Sequence, residues 1–329
     1  MQSMSTARRR FLRQAAGAAA LPAFASRWAQ AQAAFPNRPI ALAVSLQAGS
    51  GSDVASRVVA DSIGRRLGAA FVVENVPGAG GVVGASKVFN AAPDGYTIGA
   101  LNNGLICVVP NLKDKPAFDV GALTPVSMIA DLPSVMVVPS ALPVKTLADF
   151  VAYSKANAGK LSYGSVGMGS PQHLAMEMLK NSTGADLLHV PYRGGPQTVT
   201  DVVAGQIHAT WIAIPVAAPF IKSGQLRGLA VGGAARSAVI PQVPTLKEGG
   251  VRDFEYLPWI AFYGPPKLPE AITKKLHAAI QEALAEPAVI EKLSGAGLEA
   301  RPMPLPAFEK LGVSERAEMA KVIQKLKLG

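Results

Sequence analysis

Twice in this sequence a short apolar run ends in a loop of small residues that opens straight into a helical pattern. Ile40-Ala41-Leu42-Ala43-Val44-Ser45-Leu46 leads into Gln47-Ala48-Gly49-Ser50-Gly51-Ser52-Asp53, and the run at 161–164 leads into Ser165-Val166-Gly167-Met168-Gly169-Ser170-Pro171. An apolar run of strand length followed at once by a helix is the repeating unit of an α/β sheet. Small residues in the joining loop let backbone approach a ligand closely. The helix start behind each loop offers unpaired N–H groups and the positive end of the helix dipole. Together these features hold an anion. Two such loops far apart in one chain point to an anionic small molecule held between two lobes.

The same alternation runs through the rest of the chain. In the first part, strands are expected over 40–46, 71–74 and 96–101, with helices over 54–67 and 81–90. A strand over 135–139 is expected to lead into a second lobe. That lobe begins at Thr146-Leu147-Ala148-Asp149, close to a capping box. Its strands are expected over 161–164, 187–190, 208–214 and 227–231, and its helices over 147–156, 171–183 and 196–204. Residues 255–262 return the chain to the first lobe, and helices over 269–284, after Pro287 and over 306–326 complete it. The expectation is an α/β molecule in which each lobe is a mostly parallel sheet flanked by helices. Lobe 1 is placed at 34–138 plus 258–329 and lobe 2 at 139–257.

The N-terminus stands outside this pattern. Ala7-Arg8-Arg9-Arg10-Phe11-Leu12-Arg13 is a charged leader, residues 14–25 are Ala-rich and apolar, and Ala31-Gln32-Ala33 supplies a cleavage site. Residues 1–33 therefore read as a cleaved export signal of twin-arginine type, with Ala7 where Ser or Thr is more usual. The apolar stretch falls short of the ~20 residues that span a bilayer, and no Cys at its end could carry a lipid. The expected location is the periplasm. Loss of Arg8, Arg9, Arg10, Arg13 and Arg27 with this segment lowers the net charge from +10 to +5. That mild charge, without basic runs interleaved with aromatics, excludes nucleic acid as a partner and suits small anions. Cys107, the only cysteine, lies in an apolar run that reads as a buried, inert thiol.

Enzymatic chemistry is poorly supported. The loop at 49–54 has Val54 where a dinucleotide fingerprint needs its third glycine, and no Gly-Lys-Ser/Thr follows any glycine loop as a phosphate-binding P-loop requires. No G-x-S-x-G elbow occurs, and His173, His189, His208 and His277 form no zinc-binding pair. No cofactor or metal is expected. Asp53 and Asp201 could serve as catalytic acids, but a helix-start carboxylate and a capping or surface role are simpler.

The remaining candidates are polar groups at helix starts. Ser50 and Ser52 can donate hydroxyls, while Gly51, Ser52 and Asp53 can donate backbone N–H. Ser165, Gly167, Gly169 and Ser170 can do the same from the second lobe. His173, one turn into its helix, could face the cleft or serve a capping or core role. Arg193, in Tyr192-Arg193-Gly194-Gly195, could pair with a carboxylate directly or make a salt bridge at the lobe surface.

Several strings, taken in order, resemble the TctC/Bug-type substrate-binding proteins of tripartite tricarboxylate transporters. They are Phe35-Pro36-Asn37-Arg38-Pro39-Ile40, the 49–53 loop, Val73-Glu74-Asn75-Val76-Pro77-Gly78-Ala79-Gly80-Gly81 and Ala92-Pro93-Asp94-Gly95-Tyr96-Thr97. Gly167-Met168-Gly169-Ser170-Pro171-Gln172-His173-Leu174, Val190-Pro191-Tyr192-Arg193-Gly194 and Pro241-Gln242-Val243-Pro244-Thr245 continue the match. The resemblance implies a type II-like, two-lobed periplasmic binding protein. It would be a monomer that grips a small carboxylate by backbone amides, hydroxyls and bridging water, then meets the membrane permease subunits. Hinges are expected near Pro139 and around 257–263. The alternatives are an exported cofactor-bearing enzyme and an orphan receptor feeding a signalling system. One departure stands out: Ala48, Ser50 and Ser52 replace residues of the family's usual Pro-Gly-Gly-Gly-Thr-Asp loop, so ligand preference does not carry over.

Overall fold

The computed structural model describes residues 35–251 and 255–328. The export signal expected over 1–33 lies outside the described residues. From Arg38 the chain runs through β1 (Ile40–Val44), α1 (Gly51–Leu67), β2 (Phe71–Asn75), α2 (Val82–Phe89), β3 (Thr97–Asn102) and β4 (Thr124–Asp131). Next come β5 (Ser134–Pro139), α3 (Leu147–Ala156), β6 (Ser162–Ser165), α4 (Pro171–Thr183), β7 (Leu188–Pro191) and α5 (Gly195–Val203). β8 (Ala209–Ala213), α6 (Ile214–Lys222) and β9 (Leu226–Val231) follow. β10 (Trp259–Gly264), α7 (Glu270–Leu284), α8 (Pro287–Gly295), β11 (Glu299–Ala300) and α9 (Leu305–Leu326) complete the described chain.

The strands form two sheets built to one plan. The first has the order β11-β4-β10-β3-β1-β2 and the second β7-β6-β8-β5-β9. In each, a parallel trio (β2-β1-β3 and β7-β6-β8) is followed by the strand that enters from the other sheet. That entering strand, β10 or β5, runs antiparallel to both neighbours. The sheets are therefore mixed rather than mostly parallel. A strand arriving from the opposite lobe meets its new sheet at the cleft edge and must run back away from it.

The lobe boundary also moves. Strand β5 pairs along its length with β8 and β9, so Ser134–Pro139 belongs to the second sheet and the crossing occurs at Leu132–Pro133, before the expected 138/139 division. The return crossing reaches Pro258, whose carbonyl accepts the Leu132 N–H at 2.7 Å, so the two connectors lie side by side.

Local signals explain most element ends. Helix α1 starts at Gly51, three residues before the expected start, because Ser50 caps it, and it stops at Gly68 in the left-handed conformation. Thr146 and Asp149 form the expected capping box of α3. α6 forms despite two prolines: Pro215 sits in the first turn, where its missing N–H has no intrahelical acceptor, and Pro219 lies inside. On α9, Glu315 accepts hydrogen bonds from Trp259 Nε1 at 2.6 Å and Asn103 Nδ2 at 2.8 Å, which pins this helix to the segment beyond β3. Cys107 is fully buried there, and burial pushes its thiol well above the ordinary range. No described helix is long and apolar enough to cross a membrane.

Candidate functional site

The sheet order dictates where a site can form. From β1 the chain moves to one side to make β2 and then to the other to make β3, so the loops after β1 and β3 part and leave a crevice at the carboxyl ends of the strands. The same divergence occurs at β6 and β8. These two crevices face each other across a cavity of about 40 Å³. Its first-lobe wall is Leu46, Ser50, Gly51, Ser52 and Asn102. Its second-lobe wall is Val166, Pro171, Gln172, Gly195, Trp211, Ile212, Ala213 and Val216, and Leu132, Ser134 and Pro258 contribute from the crossings.

No charged side chain lines this cavity. Instead, the first turns of α1, α4, α5 and α6 all contribute to its wall. Helix geometry leaves the N–H groups of Gly51, Ser52, Gln172 and Gly195 without intrahelical acceptors. The two loops singled out in the sequence take matching shapes. Ser50 has φ −68° and ψ 159°, Ser170 has φ −65° and ψ 156°, and each is the cap of its helix. Their hydroxyl oxygens accept from Asp53 N at 3.2 Å and His173 N at 3.3 Å.

Three side chains on the wall carry buried polar atoms with no hydrogen-bond partner: Ser52 Oγ, Asn102 Nδ2 and Gln172 Oε1. Asn102 Oδ1 accepts from Leu105 N at 3.0 Å, which fixes its amide so that Nδ2 is the end left over. Ser134 Oγ accepts from Trp211 Nε1 at 2.6 Å, which leaves the serine proton to donate elsewhere.

Of the residues expected from sequence, Ser50, Gly51 and Ser52 line the cavity. The others do not line it, and all but Arg193 lie in loops or helix starts whose polar groups have other partners. The Asp53 carboxylate accepts from Gly49 N, Arg57 Nε and Asn75 Nδ2, all at 2.9 Å. Burial works to raise its pKa, but those bonds outweigh burial and hold it below the ordinary carboxylate range. Asn75 also donates to Leu46 O at 3.0 Å, so it braces the first loop from β2.

Ser165 Oγ is shared among the Gly167 backbone and His189 Nε2, the latter at 2.6 Å. His173 is buried against His189 with ring centroids 4.4 Å apart, and its Nδ1 accepts from Gly169 N at 3.4 Å. Desolvation, aided by His189, lowers its pKa to about 4. Arg193 is exposed and outside the lining. The neighbouring Tyr192 hydroxyl donates to Asp201 at 2.7 Å, so Asp201 supports the start of α5.

Asn102, Ser134, Gln172, Gly195 and Trp211 complete the wall without having been expected from sequence. Gln172 sits within a recognisable loop string, and Asn102 is the polar residue that ends an apolar run. Ser134 and Trp211 carry no sequence signal, because strand pairing alone brings them to the cleft.

The lobes meet closely around the cavity. A Cβ built on Gly194 would lie 2.0 Å from Gln47 Oε1 and 2.5 Å from Gln47 Cβ, and one on Gly51 would lie 2.8 Å from Ala213 Cβ. Gly167, at φ 116°, sits so close to Gly80 that an added Cβ would lie 3.0 Å from the Gly80 nitrogen. Among the described residues no group of three His, Cys, Asp or Glu could hold a metal ion.

Two mixed sheets whose carboxyl ends close on a cavity rich in helix starts define a two-lobed periplasmic-binding-protein fold, the architecture of a solute receptor. A Rhodopseudomonas palustris protein solved with adipate is 29% identical, covers 90% of this chain and 99% of its own, and superposes with a TM-score of 0.85. MatC from the same organism, solved with bound malate, is 27% identical over 88% of this chain and 100% of its own, with a TM-score of 0.83. BugT of Bordetella pertussis is 34% identical over 80% of this chain and 81% of its own length. The family model "Tripartite tricarboxylate transporter family receptor", TctC, matches residues 55–328. The chain belongs to this TctC/Bug receptor family, whose members are solute-binding receptors and not enzymes.

Proposed function

We propose that this protein is a periplasmic receptor that closes over a small carboxylate and delivers it to the membrane subunits of a tripartite tricarboxylate-type transporter. The observation that carries this reading is a cavity with four helix starts and no charged side chain in its wall. Aligned amide dipoles stabilise an anion there without a cationic side chain. The adipate and malate bound to two relatives of the same fold support a carboxylate as the ligand class.

The binding groups in this reading are the Gly51, Ser52, Gln172 and Gly195 amides with the Ser52, Ser134 and Asn102 side chains. Ser50, Asp53, Ser165, Gly167, Gly169, Ser170 and His173 hold the loops that present them. Arg193, exposed and outside the cavity lining, is left out of the contact set in this reading. The hinge is the paired crossing at Leu132–Pro133 and Pro258, with lobe 2 beginning at Ser134. Calorimetry and thermal unfolding against mono-, di- and tricarboxylates test the proposal. Stabilisation by a carboxylate is expected, and the absence of binding to every member would overturn it.

A further inference from the structure

The two walls of the cavity are chemically unequal, although the loops behind them look alike. On the first wall Ser52 and Asn102 are almost fully buried, at 1% and 2% exposure, and both carry an orphaned donor. On the second wall the loop's own polar groups are consumed internally: Ser165 by His189 and Gly167, Ser170 by the His173 N–H. Besides the Gln172 and Gly195 amides already assigned to the carboxylate, that wall shows the cavity mostly Val166, Trp211, Ile212 and Val216. Its orphaned side-chain atom is Gln172 Oε1, an acceptor, which turns a second carboxylate away.

From this asymmetry we infer that the ligand is a compact monocarboxylate with an apolar body, its carboxylate on Ser52 and Asn102 and its carbon chain against the second lobe. The inference rests on the carboxylate-receptor reading above and narrows it. A buried orphaned donor is costly and an incoming anion relieves two of them at once. A second carboxylate set against apolar side chains would lose its hydration with little in return. Size points the same way. About 40 Å³ holds on the order of three waters at roughly 10–15 Å³ each. A six-carbon dicarboxylate could be enclosed only by parting the lobes at the Gln47–Gly194 seam. The ligand therefore docks first on the open first lobe, by its charged end, and the second lobe closes as an apolar cap.

Calorimetric titration of the mature protein with acetate, propionate, butyrate, succinate, adipate and citrate decides the matter. Affinity is expected to rise about fourfold per methylene from acetate until the cavity is full, with succinate, adipate and citrate at least tenfold weaker than the best monocarboxylate. Ser52→Ala and Asn102→Ala are expected to weaken that monocarboxylate severalfold each; the unliganded melting temperature is held or raised in Ser52→Ala and lowered in Asn102→Ala, where Leu105 N loses its acceptor. A dicarboxylate or citrate binding more tightly than every monocarboxylate would overturn the inference while leaving the receptor reading intact. Unchanged affinity in both variants would also overturn it. No binding by any of the six would remove the receptor reading itself.

Discussion

Replacing Gly194 by Ala separates closure from folding in a single methyl group. Gly194 has φ −171° and ψ 160°, extended backbone that alanine adopts without strain. Within its own lobe the change is therefore tolerated, and by restricting the unfolded chain it stabilises by about 0.4–1 kcal/mol. Across the seam the situation reverses. The new Cβ would stand 2.5 Å from Gln47 Cβ, which is rooted at the backbone and cannot swing aside as Oε1 can. Carbon atoms rest at about 3.5–4.0 Å, so the loop after β1 must retreat by roughly 1 Å for the lobes to close.

Overpacking of this kind costs about 1–3 kcal/mol. In the proposed reading ligand binding is coupled to closure, so the loss appears as a drop in affinity of roughly 5- to 150-fold. Calorimetry with the tightest-binding carboxylate, paired with thermal unfolding of the unliganded protein, reads both effects. The expected pattern is weaker binding with an equal or higher Tm. Gln47→Gly added to Gly194→Ala should restore most of the affinity, a non-additivity expected of contacting residues. Wild-type affinity in the single variant, or no recovery in the double, would refute the closed geometry at this seam.

Three further outcomes follow from the site. Ser170→Ala removes a helix cap rather than a ligand contact, so it should cost about 1 kcal/mol of stability in a denaturant titration with little change in affinity. His173, held at about 4 against an ordinary 6.5 by burial beside His189, is neutral in the fold but charges readily once unfolded. Its contribution to stability is thus complete above pH 6.5 and lost as pH falls toward 4. Tm measured across that range should decline, and His173→Gln should flatten the decline. Arg193→Ala should leave carboxylate affinity within about twofold of wild type, since exposed charges of this kind contribute 0–1 kcal/mol, and a tenfold loss would show that Arg193 reaches the ligand.

Much of the fold was legible because its signals are local. The apolar runs that became β1, β3 and β6, the Gly68 stop of α1 and the Thr146–Asp149 box all act within a few residues of themselves. Strand β4 was not, because Pro125 and Ser127 interrupt its apolar pattern and its partners, β10 and β11, lie far along the chain. Direction was equally hidden. Whether β5 and β10 run parallel or antiparallel depends on which edge of the sheet they enter.

At the site, Ser50 to Ser52 could be found because one turn of helix carries them. A sequence displays the Ser165 and Ser170 hydroxyls but not the partners that consume them. Asn102 and Trp211 become neighbours of the first loop only through the order β1-β3 and the meeting of two lobes.

A pocket whose electrostatics come from backbone amides rather than from lysine or arginine has a kinetic signature. Dissolved ions screen exposed charges beyond about 8–10 Å but act much less on groups enclosed by protein. Added salt should therefore slow the arrival of the anion, which the net positive charge of the chain steers. It should scarcely alter the residence time, which is governed by enclosed dipoles and by the opening of one hinge. Such a receptor would keep its hold on captured solute as the ionic strength of its surroundings changes.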